Sequence, residues 1–184
     1  MTEADKRQAI LNATLELIAE HGFHGTSVSM IVKASRVSTG IVYHYFGSKD
    51  EIIAALYGEV KGAFGRHLMN GVVFSDDWRT RLKQIWLNAF RYFITHPKEL
   101  RFLEQYDNSP YHHEYADESL NRLKAMIAED VQQKRIKALP PAALEALTLG
   151  VAFKLAKAHY GGARIEDEAV LEAVADACCE AIAV

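Results

Sequence analysis

The residues best equipped for chemistry in this chain cluster between Ser38 and Lys49, and the chemistry they suit is reading a nucleic acid. Ser38, Thr39 and His44 offer hydroxyls and an imidazole to phosphates and base edges. Tyr43 offers a flat phenol for sugar or thymine methyl contact, and Gly40 allows close backbone approach. Their spacing places them on one helix. Val42, Tyr45 and Phe46 fall at i, i+3 and i+4 and are expected to turn inward, which leaves Thr39, Gly40, Tyr43 and His44 on the outer face. Ser38 is placed to cap this helix by accepting from the free N–H groups of its first turn, with Val37 and Val42 placed for a hydrophobic staple. Gly47-Ser48-Lys49-Asp50-Glu51 then reads as a capping box in which Ser48 and Glu51 satisfy each other's backbone donors. Lys49 stands at a helix N-terminus that already attracts anions, so it is expected to clamp a phosphate.

Residues 27–51 as a whole read as two short helices, a tight turn and the start of a third. This stretch resembles the helix-turn-helix of TetR-type bacterial transcriptional regulators, above all in Val37-Ser38, Gly40, Tyr43-His44-Tyr45-Phe46 and Ser48-Lys49. The resemblance is close over the first third of the chain, and the all-helical remainder and total length fit that family's two-domain plan. It implies an N-terminal DNA-binding unit followed by a helical part that binds a small molecule and dimerises. Carried over position by position, it implies DNA contacts from Ser27, Ser38, Thr39, Gly40, Tyr43, His44 and Lys49. Three positions depart from the family: Arg36 stands where a turn glycine is usual, Met30 where an acidic residue often completes a cap, and Ile41 where a Ser or Thr is common. The last removes one base contact, so the operator sequence of relatives does not transfer.

These residues need a scaffold, and the rest of the first domain supplies it. Over residues 4–21, Ile10, Thr14, Leu17 and Ile18 recur with helical spacing, Leu11 and Leu15 widen the stripe, and Gly22 ends it. Phe23, Val28, Ile31 and Val32 are the nearest partners for that face, giving a three-helix unit over residues 1–50. Lys6 and Arg7 read as a solvated helix start, with contact to the DNA backbone as the competing reading. The helix capped at Ser48 continues to Leu68 and so leaves the first domain for the second, residues 51–184. Gly58, Gly62 and Gly65 along it each cost about 1 kcal/mol relative to Ala. Either close helix packing or a compliant connector would account for them.

The second domain reads as helices over residues 78–95, 97–106, 116–136, 142–160 and 167–183, punctuated by Pro97, Pro110, Pro140-Pro141 and Gly161-Gly162. Asp76 or Asp77 is expected to cap the first of them. The last two are rich in alanine and apolar enough to pack on more than one neighbour. The resemblance implies that they form a homodimer as a four-helix bundle. It also implies a mostly apolar cavity for an apolar or aromatic effector. Candidate walls are Trp86, Phe90, Phe93, Phe102 and Phe153, with Tyr106, His112 and His159 as polar lining. Plain core packing is the competing reading for each aromatic.

Composition narrows the classes. Among 184 residues the net charge is −3, which argues against generic nucleic-acid coating, so any DNA affinity must be local. No apolar run approaches the roughly 18 residues a membrane span needs, and the start, MTEADKRQAI, lacks the core of a signal peptide. A cytoplasmic protein is expected. Cys178 and Cys179 are adjacent, which suits neither a disulfide framework nor a CxxC site; they read as helix packing. His112-His113-Glu114 with Asp117 lacks the i, i+4 pairing of a helical metal site. No GxSxG, Walker loop, HExxH or ExxH pair occurs, so no catalytic residue, metal or cofactor is assigned and an enzyme is not expected. The expectation is an all-α, ligand-responsive, homodimeric DNA-binding regulator, a repressor of a near-palindromic operator. The alternative is a helical small-molecule-binding or protein-interaction module that has lost DNA reading.

Overall fold

The computed structural model describes residues 2–75, 77–107, 109, 111, 117–163 and 165–184. The described chain is helical. Its elements are α1 (Glu3–Gly25), α2 (Val28–Ser35), α3 (Thr39–Tyr45), α4 (Lys49–Leu68), α5 (Trp78–Thr95), α6 (Pro97–Asp107), α7 (Glu118–Gln132), α8 (Pro141–Leu147), α9 (Leu149–Ala158) and α10 (Glu168–Ile182). A wide π turn, His159–Ala163, follows α9. Extended pairing among the described residues amounts to one antiparallel bridge between Ile136 and Ala183. None of these helices is long and apolar enough to cross a membrane.

The helix starts follow from short polar side chains that accept from otherwise unpaired N–H groups. Thr2 and Asp5 form a reciprocal capping box at α1. Ser27 caps α2, Ser38 caps α3, and Asp77, Asp117 and Asp167 cap α5, α7 and α10. Ser48 accepts from the Glu51 N–H at 3.2 Å, as expected, but the Glu51 carboxylate takes the Gly47 N–H at 2.8 Å rather than that of Ser48. The box is therefore shifted by one residue on its acidic side.

The chain divides into two compact units, Met1–Lys61 with Pro97–Tyr115, and Gly62–His96 with Ala116–Val184. The division falls inside α4. In the first unit Ile10, Leu11, Ile18, Ile31, Val42, Ile52 and Ile53 make a dry core. Gly22 adopts φ 75° and breaks α1 one turn before its end, so Phe23 enters an aromatic cluster with Phe102, Tyr106 and Tyr111, ring centroids 5.3–6.2 Å apart. Tyr57 stacks on Tyr106 at 3.9 Å. Phe102 and Tyr106 therefore lie in a different unit from the other candidate pocket walls.

In the second unit α5 is the central element, buried at Leu82, Ile85, Trp86, Ala89, Phe90 and Phe93. The expected helix over 142–160 is two helices. Thr148 sits at φ −122°, ψ −91° with its hydroxyl on the Leu144 carbonyl at 2.6 Å, an alternative to the helical ladder that β-hydroxyl residues offer. The offset brings the Glu145 carbonyl to 3.3 Å from where a Cβ on Gly150 would stand, which explains glycine there. The helix expected over 116–136 ends at Gln132, and Lys134 turns the chain at φ 56° so that Ile136 can meet Ala183. A Cβ on Gly65 would come within 2.9 Å of Asp117 Oδ1 and 3.2 Å of Leu120 Cγ, so close helix packing accounts for that glycine.

Candidate nucleic-acid interface

The α2–turn–α3 unit is built by two caps and one left-handed residue. Ser27 Oγ accepts from Met30 N–H at 3.3 Å and Ser38 Oγ from Ile41 N–H at 3.4 Å. Between them Arg36 takes φ 59°, ψ 26°, the conformation that a turn glycine adopts freely and that an L side chain resists. Val42 and Phe46 bury one face of α3. Thr39, Gly40, Tyr43 and His44 lie exposed on the other, together with both capping serines, and Tyr43 is 54% exposed despite its apolar ring. A Cβ on Gly40 would meet no atom of the described residues within 4 Å, so none of them requires glycine there.

Two neighbours of this face are engaged inside the chain. Lys49 is half-buried and its ammonium donates to the Phe23 carbonyl, which ties the start of α4 to the segment after the Gly22 break. An ammonium has three donors, so this bond leaves two. Tyr45 is only partly turned inward; its hydroxyl reaches Glu3 at the start of α1. Arg7 pairs with Glu59 and lies over the Phe46 ring at 5.6 Å. An open cleft of about 430 Å³ adjoins the Gly22 break, lined by His21, Phe23, His24, Glu104, Gln105 and Ser109.

The remaining candidates are dispersed. Trp86 and Phe90 are fully buried and parallel at 6.0 Å, and Phe93 meets Phe153 edge-on at 5.4 Å. Among the described residues the buried Trp86 Nε1 and His159 Nδ1 have no nitrogen or oxygen partner. The Cys178 thiol lies beside the indole, but sulfur is a weak acceptor and leaves that donor short of a full bond. His112 lies outside the described residues, as do His113 and Glu114 of the weighed metal cluster. Among the described residues no three His, Cys, Asp or Glu side chains are grouped to hold a metal. Both cysteines are buried, and burial pushes the Cys179 thiol up to about 11.

A capped helix, a left-handed turn and a second capped helix with a polar outer face define a helix-turn-helix protein. Residues 10–56 match the family described as bacterial regulatory proteins, tetR family, and residues 78–183 match the tetracycline repressor-like C-terminal domain. The chain belongs to the tetR family of bacterial regulatory proteins. It is similar to a TetR family transcription regulator from Marinobacter aquaeolei, with a TM-score of 0.86 at 24% identity over 98% of this chain and 96% of that one. The TetR-family regulator HI0893 of Haemophilus influenzae gives 0.83 at 23% identity, over 98% of each chain. Both likenesses concern the fold. The fatty acid metabolism regulator protein of Bacillus subtilis is 41% identical over 59 residues, 32% of this chain and 30% of that protein. The chain thus covers less than a third of that relative's length.

Proposed function

We propose that the chain is a homodimeric transcriptional repressor whose paired α3 helices, about 34 Å apart, enter successive major grooves of a near-palindromic operator. The observation that carries this reading is the outer face of α3: polar, exposed, aromatic at Tyr43, and with a glycine at position 40 that none of the described residues demands. Ser27, Ser38, Thr39, Gly40, Tyr43, His44 and Lys49 are the proposed DNA contacts. Close approach of a phosphate or sugar is what an unfilled Gly40 accommodates.

The second unit is the proposed effector site. Buried polar atoms that are poorly partnered call for an explanation: in the second unit the Trp86 N–H has the weakly accepting Cys178 sulfur beside it, and His159 Nδ1 has no hydrogen-bond partner among the described residues. An apolar or aromatic effector carrying an acceptor would satisfy the indole. Effector and operator would weaken each other's binding reciprocally, because each favours a different conformer.

Selection of sites from a random duplex pool at physiological salt tests the first part. Wild type should enrich a two-fold symmetric site, and Tyr43→Ala should bind it roughly tenfold or more weakly, in the range of about 1–3 kcal/mol for a lost specific contact. A wild type that enriches no site, with or without added cell extract, would reject DNA reading. The name of the Bacillus subtilis relative puts fatty acids first in the panel for the effector.

A further inference from the structure

Tyr45 occupies the last position of α3, directly after His44 and two residues after Tyr43. Its single hydroxyl proton is shared between the main-chain carbonyl of Glu3, at 2.8 Å, and the Glu3 carboxylate. The shared contact pushes the phenol up to about 12 and holds the Glu3 carboxyl below its ordinary range. Helix α3 has seven residues, too short to hold its own shape in water. The buried residue of α3 itself is Val42; Phe46, also buried, follows the helix in extended backbone at φ −141°, ψ 121°. A single buried side chain within the helix fixes where it lies but resists its rolling weakly. Tyr45 adds a second hold, because its hydroxyl is bound to α1, an element that carries its own reciprocal cap at Thr2 and Asp5.

We propose that Tyr45 is a positioning residue for operator recognition, which through Glu3 sets the roll of α3 and hence the direction in which Tyr43 and His44 are presented. The proposal rests on the DNA-reading function above. A wrong roll misplaces side chains against base edges while leaving the general attraction for phosphate intact, so the loss falls on specific binding.

The test compares two duplexes, the site enriched by wild type and a scrambled duplex of the same length and composition. Tyr45→Phe removes one oxygen. It should weaken binding to the enriched site about tenfold and leave the scrambled duplex unchanged, so the ratio of the two affinities falls. Glu3→Leu removes the carboxylate and keeps the main-chain carbonyl, so it should lower the ratio in the wild-type background by less than Tyr45→Phe does, and add little in the Tyr45→Phe background. Glu3→Gln, whose amide oxygen still accepts from the phenol, should restore most of it. An unchanged ratio in Tyr45→Phe overturns the proposal, as does a fall of the same factor on both duplexes, which is what mere loss of folded protein produces. So does full additivity of Glu3→Leu and Tyr45→Phe, since Tyr45 would then act by touching DNA itself. A wild type that enriches no site rejects the DNA-reading function and this proposal with it, whereas enrichment with an unchanged Tyr45→Phe ratio rejects this proposal alone.

Discussion

Arg36 and Gly22 both sit in left-handed backbone, at φ 59° and 75°, but one is an arginine and the other the residue type that suits the position. For an L side chain this conformation costs about 1–2 kcal/mol. Arg36→Gly should relieve it, less the roughly 0.4–1 kcal/mol by which glycine's extra freedom stabilises the unfolded chain. The expected net gain lies between about zero and about 1.6 kcal/mol, read as a raised thermal midpoint. A lowered midpoint would mean that the exposed Arg36 side chain contributes contacts worth more than the strain. The comparison also explains what was legible at this scale. Arg36 stands out in sequence because glycine is usual there, and the turn forms regardless because the caps at Ser27 and Ser38 dictate the helices on either side. What could not be read was where long side chains end. Lys49 and Tyr45 look from spacing like a clamp and a core residue, yet each reaches across to α1, and such reach depends on three-dimensional proximity rather than on period.

At the scale of elements, the second unit is pinned by a polar centre that no local pattern announces. Arg81 of α5 grips Asp130 of α7 through two bonds of 2.8 and 2.9 Å, and Arg135 adds a third at 2.6 Å. Asp130 is 2% exposed and Arg81 7%. Removing one partner of such a pair strands the other charge away from water, at a cost of about 3–5 kcal/mol, whereas replacing both with apolar groups is often neutral. Asp130→Ala should therefore lower the urea midpoint severely, and Arg81→Met with Asp130→Leu should recover most of the loss because Arg135 is exposed enough to hydrate. A mild Asp130→Ala would show that the centre contributes little to holding α5 and α7. The capped start at Asp77 was readable because a cap is made within three residues, whereas Asp117, which the sequence reading put inside a helix over 116–136, proves to be the cap of α7. The Arg81–Asp130 pair, the break at Thr148 and the entry of α6 into the first unit were not readable, since each is decided by a neighbour distant in sequence or by a single hydroxyl.

At the scale of the whole molecule, α10 has three faces and a use inside the chain for two. Leu171, Ala175, Cys178, Cys179 and Ile182 are buried. Glu168, Glu172, Asp176 and Glu180, each four residues on, form a stripe paired with Arg91, Lys83 and Arg79 of α5, with Lys83 shared between Glu172 and Asp176 at 2.7 and 2.9 Å. The third face is Val170, Ala173, Val174, Ala177 and Ala181, apolar throughout, with Val170 46% exposed. A helix that is apolar on two sides is normally buried on both, and small residues on the outer side allow a second helix to approach closely. This is the face on which we place the homodimer contact. Ala177→Glu puts a charge at its middle and leaves the buried face untouched; its one neighbour in the acidic stripe is Glu180, three residues on, a repulsion of only about 0.2–0.5 kcal/mol, so the fold and its circular dichroism should survive. Sedimentation should then show a monomer where wild type shows a dimer. Operator binding should fall far more than binding of a single half-site, because a dimer gains the second half-site at high effective concentration and a monomer does not. A dimer that persists in Ala177→Glu would move the symmetry axis off this face of α10, and a monomeric variant that still binds the full operator as tightly as wild type would remove dimerisation from the recognition mechanism.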